Sequence, residues 1–242
     1  MTVTLKALGA LLTYPGPALR EALSEIGAAL EAEGLVGRKT RHAVRELAEE
    51  IAAGDPLEME ERYVSLFDRG RRTSLHLFEH VHGDSRDRGQ AMVDLAGVYE
   101  RAGFRLAANE LPDFLPVMLE YLAHRPLAEA RDMLVDCAHI LRSVGETLAG
   151  NDCRYGAVFA ALLEIAGEPG LKPGRPRVPQ EEEKPLDEEW AEEPVIFGPA
   201  ARMTLSTTAG TQPCGVGPAA APSVRGTNAS FLPKGPVQGA RR

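Results

Sequence analysis

Through the first 167 positions of this 242-residue chain, apolar residues recur three and four places apart, and that spacing constrains the fold more than any other feature. Leu19, Leu23, Ile26 and Leu30 line one face of a helix after Pro17, and Val44, Leu47, Ala48 and Ile51 line the next. Asp55-Pro56-Leu57-Glu58 opens another, with a capping side chain, a proline in the first turn and an acid three residues after the cap. That helix carries Met59, Tyr63, Leu66 and Phe67. Met92, Leu95, Ala96 and Tyr99 mark a helix closed by Gly103, and Leu115, Met118, Leu119 and Leu122 mark another. Leu134, Cys137, Ala138, Leu141, Val144 and Leu148 read as one long helix closed by Gly150. Tyr155, Val158, Phe159, Leu162 and Ala166 complete the set. No alternating strand pattern competes, and aromatics make up only 5% of the chain. The expected fold is all-α: a single helical bundle domain over residues 1–167 with short linkers.

Beyond Gly167 the composition changes. Residues 168–242 hold 12 of the 18 prolines. Pro169, Pro173, Pro176 and Pro179 would interrupt any helix. Such a stretch buries too little apolar surface to offset its ordering entropy, so residues 168–242 are expected to form a long, largely disordered tail. Within it lies an acidic-hydrophobic island at 187–198, containing Trp190, Val195, Ile196 and Phe197, which either docks or stays solvated.

The formal net charge of −8 argues against a nucleic-acid binder or a binder of anionic membranes. Three dispersed cysteines, Cys137, Cys153 and Cys214, make a poor disulfide framework and suggest a reducing compartment. The apolar runs Ala7–Leu12 and Ala157–Leu163 fall far short of the roughly 20 residues that span a bilayer, and no targeting segment is visible. The expected location is cytoplasmic.

One stretch, Asp68–Gly89, breaks the amphipathic routine by packing five arginines, four acids and three of the six histidines together. Burying such a cluster is costly unless it is paired, so it either faces water or lines a site. Three uses compete. His76-Leu77-Phe78-Glu79-His80 matches the H-x-x-E-H pattern of zinc hydrolases, with His76 and His80 on one helical face beside Glu79, but a bare pattern of this length proves little. Phosphate binding by the arginines lacks any glycine-rich loop and is opposed by the acids Asp68, Asp84 and Asp87. Peptide recognition would use a mixed-charge groove flanked by Tyr63, Phe67, Phe78 and Tyr99. An intramolecular salt-bridge network explains the same residues, and composition and spacing leave both open.

The runs Tyr63–Gly70, Thr73–Gly83 and Ser85–Met92 resemble the molybdenum cofactor assembly chaperones of respiratory nitrate reductase, the NarJ type. Glu110–Asp113 through Leu119–Leu122 is similar to that family's second block, and Leu11–Pro15 and Glu192–Gly198 are also typical. The resemblance covers roughly residues 5–198 and extends to the wider TorD/DmsD-like maturation chaperones. One departure is Phe114, where the family often has histidine. The resemblance implies a non-enzymatic, all-helical chaperone with no cofactor or metal of its own. Its partner would be the N-terminal leader of the apo catalytic subunit, held competent for iron–sulfur cluster and molybdenum cofactor insertion before membrane docking. Cofactor insertion proteins are further partners on this reading. The candidate peptide-binding residues are Tyr63, Phe67, Asp68, Arg69, His76, Glu79, His80, His82, Arg86, Asp87, Arg88, Asp113, Glu120 and Tyr121. Of these, Tyr63 and Phe67 share a stripe with core residues, and Asp113 is placed to start a helix after Pro112.

Overall fold

Ten α-helices build the described part of the chain, which in this computed structural model comprises residues 1–83, 85–107 and 110–172 and the backbone of Leu232–Pro233. The island at 187–198, Cys214 and nearly all of the expected tail lie outside the described residues. Helix α1 (Val3–Leu11) buries Leu5, Leu8 and Leu11. Helices α2 (Pro17–Glu33) and α3 (Arg38–Ala53) bury the two stripes read from the sequence, Leu19/Leu23/Ile26/Leu30 and Val44/Leu47/Ala48/Ile51. The Thr2 side chain makes no capping bond to α1. Instead Glu33, the last residue of α2, accepts from the Val3 and Thr4 amides at 2.7 and 2.8 Å. Its carboxylate satisfies two of the orphan donors at that helix start.

Helix α4 (Pro56–Tyr63) starts as expected, with the Asp55 carboxylate accepting from the Leu57 and Glu58 amides. It then widens into a π-helical turn at Val64–Asp68, closed by Arg69 N–H donating to the Val64 carbonyl at 3.1 Å. Tyr63 and Phe67, at its two ends, both lie in the core, each 5% exposed. A 3₁₀ turn (Arg71–Thr73) leads into the short α5 (Leu77–His82) and then α6 (Asp87–Arg101).

Helix α7 (Leu115–Ala123) packs against α1. The single helix expected around Cys137 is two helices, α8 (Leu127–Asp136) and α9 (Ala138–Gly150). The break falls at Cys137, where φ is −100° and ψ is 7°, and whose thiol turns back to the Met133 and Leu134 carbonyls. The apolar stripe continues in phase across this joint, so its spacing carries no sign of the bend. Helix α10 (Gly156–Ala166) lies against α1, α3, α8 and α9 and buries Val158, Phe159, Leu162, Leu163 and Ile165. Its contact with α9 is close: a Cβ on Gly145 would lie 2.8 Å from the Phe159 Cβ.

Residues just past Gly167 run along α9. Arg142 bonds Glu168 and the Pro169 carbonyl, and Leu171 packs over Gly145. Strand pairing is limited, among the described residues, to Phe104–Arg105 against Leu232–Pro233 and a bridge between His76 and Phe114. No described helix is long and apolar enough to cross a membrane.

Candidate functional site

The polar segment is anchored by a carboxylate that lies 37 positions away from His76 in sequence. The backbones around residues 76 and 114 bridge as an antiparallel pair: Leu77 N–H donates to the Asp113 carbonyl at 3.0 Å, and Leu115 N–H to the Leu75 carbonyl at 2.9 Å. This places the Asp113 side chain, 0% exposed, beneath the start of α5. One oxygen faces His76 Nδ1 at 3.2 Å. The other accepts from Phe78 N–H at 3.3 Å and sits 3.6 Å from Arg88 Nη2. Asp113 therefore caps α5 from a distance. The expectation that it starts the helix after Pro112 is corrected: α7 begins at Leu115 with Phe114 at its cap position. Pairing with a guanidinium and an amide is what permits a charge to be held at that depth.

Arg88, from α6, bridges Asp113 to Glu79 of α5, with Nη1 3.1 Å from the Glu79 carboxylate. Glu79 also accepts from the Ser74 hydroxyl, and that hydroxyl takes the His76 amide at 3.2 Å. His80 Nε2 lies 2.9 Å from the Ser74 carbonyl. A carbonyl only accepts, so Nε2 carries the proton. The Phe114 ring lies against His76 with centroids 5.2 Å apart and forms an apolar wall there. His76, Glu79, Arg88 and Asp113 thus form one connected cluster, with two carboxylates against one guanidinium. His76 and Glu79 are each about a third exposed at 32% and 34%, so the cluster reaches solvent through them. The partly exposed Glu79 carboxylate suits a cationic group from outside.

The expected placing of His76 and His80 on one helical face is corrected. His76 precedes α5 in extended conformation, with φ −87° and ψ 103°, so it shares no helical face with His80. Asp113 and the bridge to Phe114 hold it there. Among the described residues no group of three or more His, Cys, Asp or Glu is placed to hold a metal ion.

The remaining expected residues separate into two sets. Tyr63, Phe67 and Tyr121 are internal. Tyr63 donates to the Leu12 carbonyl at 2.8 Å and packs against Phe67, Tyr14 and Tyr155. Burial, with the Asp68 charge nearby, pushes its phenol above the ordinary range. Tyr121 stacks on Tyr99, with centroids 4.5 Å apart, and lies beneath Arg125. Asp68, Arg69, Arg86 and Asp87 are exposed, and His82 is half-buried against Phe78. Glu120 lies near Glu110, whose carboxyl is raised by burial and then by the Glu120 charge.

Three further contributors complete the site, of which the sequence reading named only Tyr99, as a flank of the groove. Ser74 sits inside the polar segment. Tyr99 donates to the Pro112 carbonyl at 2.9 Å and so fixes the loop carrying Asp113. Gly70 admits the turn before Thr73, because a Cβ there would lie 2.6 Å from the Leu66 carbonyl oxygen. All three act through contacts that local spacing does not encode.

Comparison with known proteins matches residues 18–161 to the family model described as nitrate reductase delta subunit. The chain is 41% identical over 204 residues to the nitrate reductase molybdenum cofactor assembly chaperone NarJ of Escherichia coli K12, spanning 81% of this chain and 85% of that protein. It is 37% identical to the probable nitrate reductase molybdenum cofactor assembly chaperone NarW of the same organism, over 80% of this chain and 83% of that protein. To the probable nitrate reductase molybdenum cofactor assembly chaperone NarJ of Bacillus subtilis it is 31% identical, over 70% of this chain and 91% of that protein.

Proposed function

The chain belongs to the nitrate reductase delta subunit family, and from that membership we propose that it is an assembly chaperone for a respiratory nitrate reductase. It binds the N-terminal leader of the apo catalytic subunit and holds that subunit open for iron–sulfur cluster and molybdenum cofactor insertion before membrane docking. It performs no chemistry on its client and acts in the cytoplasm, with cofactor insertion proteins as further partners.

The observation that carries this reading is the partly exposed cluster of His76, Glu79 and Arg88 standing on buried Asp113. A basic residue of the leader meets Glu79 there, with the exposed carboxylates of Asp68 and Asp87 available for others. Charged contacts of this kind set orientation and encounter rate more than bulk affinity. Tyr63, Phe67, Tyr121 and Asp113 serve as the support beneath the surface that the client touches. Arg69, His82, Arg86 and Glu120 lie at or near that surface and are proposed as its rim.

The test is calorimetric titration of the full chain with a synthetic leader of about fifteen residues, the length of a short amphipathic recognition segment. Saturable binding that is lost on Glu79→Lys and Asp68→Lys is expected. Binding that survives both charge reversals would remove this surface as the docking site. Absence of binding to the leader, with binding to the mature enzyme, would remove the leader mechanism.

A further inference from the structure

A second charged feature lies on α2 and α3 and shares no residue with the Asp113 cluster. Arg38, Arg41, His42 and Arg45 fall at i, i+3, i+4 and i+7 along α3, so they form one stripe, with Lys39 beside it. Together with Glu31 of α2 they line an open cleft of about 600 Å³. Glu31 pairs with Arg45, and His42 lies 3.9 Å from Glu46. Among the described residues Arg38, Lys39 and Arg41 have no carboxylate at ion-pair distance, whereas Arg62, Arg88, Arg125, Arg142 and Arg154 each have one. In a chain of net charge −8, this concentrates unneutralised positive charge on one helix face.

We propose that this stripe docks an acidic helix of a partner protein, one that carries at least three carboxylates along a single edge. Three observations favour that occupant over a small anion or a nucleotide. The stripe covers seven residue steps, about 10 Å of helix, so a compact phosphate would reach only part of it while carboxylates spaced along a helix match its length. The start of α3 is already served by the chain's own Glu164, whose carboxylate accepts from Gly37 N–H at 2.6 Å. The cleft is lined by Glu31, Arg38, Lys39, Arg41, His42 and Arg45, with no Phe, Tyr or Trp among them to offer a large aromatic platform for a base. This inference stands apart from leader binding, which rests on other helices.

The test uses the full chain and a fluorescently labelled, alanine-rich model helix with glutamates at i, i+3, i+4 and i+7. A scrambled peptide of the same composition and inorganic pyrophosphate serve as comparison probes. Anisotropy should show binding of the patterned helix, weakened at least ten-fold by Arg38→Glu with Arg41→Glu and partially by the neutral Arg38→Gln with Arg41→Gln. Binding should also fall several-fold when salt is raised from 50 to 200 mM. Circular dichroism of each variant checks that the fold is retained. Equal binding of the scrambled peptide, or unchanged affinity in the charge-reversed variant, would overturn the proposal in favour of a merely solvated face. Displacement of the peptide by pyrophosphate at equal or lower concentration would overturn it in favour of a small-anion site.

Discussion

Asp113 concentrates the residue-scale argument. One fully buried carboxylate serves the Phe78 amide, Arg88 and His76 together. Asp113→Ala leaves Arg88 with Glu79 alone and the Phe78 amide unserved, and is expected to cost about 3 kcal/mol of stability. Solvent reaches Arg88 and His76, which keeps the loss below that of a wholly enclosed pair. Asp113→Asn keeps the shape and one acceptor but not the charge, and should lose about half as much. Urea titration reads both as lowered midpoints with an unchanged slope; a stability within error of wild type for the alanine variant would show that the cluster is not structural. Little of this was legible beforehand. An acid just after Pro112 reads locally as a helix start, and only the pairing of residues 76 and 114 turns its side chain toward α5 instead.

At the scale of elements, the end of α2 caps the beginning of α1. Burial works to raise the Glu33 carboxyl, but the Thr4 and Val3 amides and the adjacent amino terminus hold it below its usual value. A lowered carboxylate contributes stability that is fully present above its unfolded pKa and lost as pH falls through the folded one. Glu33→Gln should therefore cost about 1 kcal/mol at neutral pH. The gap from wild type should close as pH drops below about 4. Thermal unfolding of both proteins across that range checks the sign: a gap that persists in acid would mean that charge is not what Glu33 supplies. The helical stripes themselves were readable, since α2 and α3 bury the residues their spacing marks. The bend at Cys137 and the π-helical turn at Val64–Asp68 were not. Neither has a glycine or proline within it to mark it in the sequence.

For the whole molecule, α10 is the element to which the others refer, because it meets α1, α3, α8 and α9. Phe159, 1% exposed, packs against α9 at Gly145. Phe159→Ala is expected to cost about 3–5 kcal/mol, a large share of the stability of a domain this size. Its loss should lower the melting temperature of the entire helical signal in one transition, measured by circular dichroism. Separate melting of α9 and α10 would show that the helices do not form one cooperative unit.

The bridge between His76 and Phe114 has a consequence for how the chain is threaded. The bridge joins the chain at Leu77 to the chain at Asp113, so the stretch between them is a circuit closed at this doorway, and α6 within it packs back on α7 through Tyr99 against Tyr121. The entropy of closing such a circuit grows only with the logarithm of its length. Gaining or losing a few residues within the circuit thus adds little to the cost of closing the doorway. The polar cluster sits at the doorway itself, the one part of the circuit whose geometry its length does not alter.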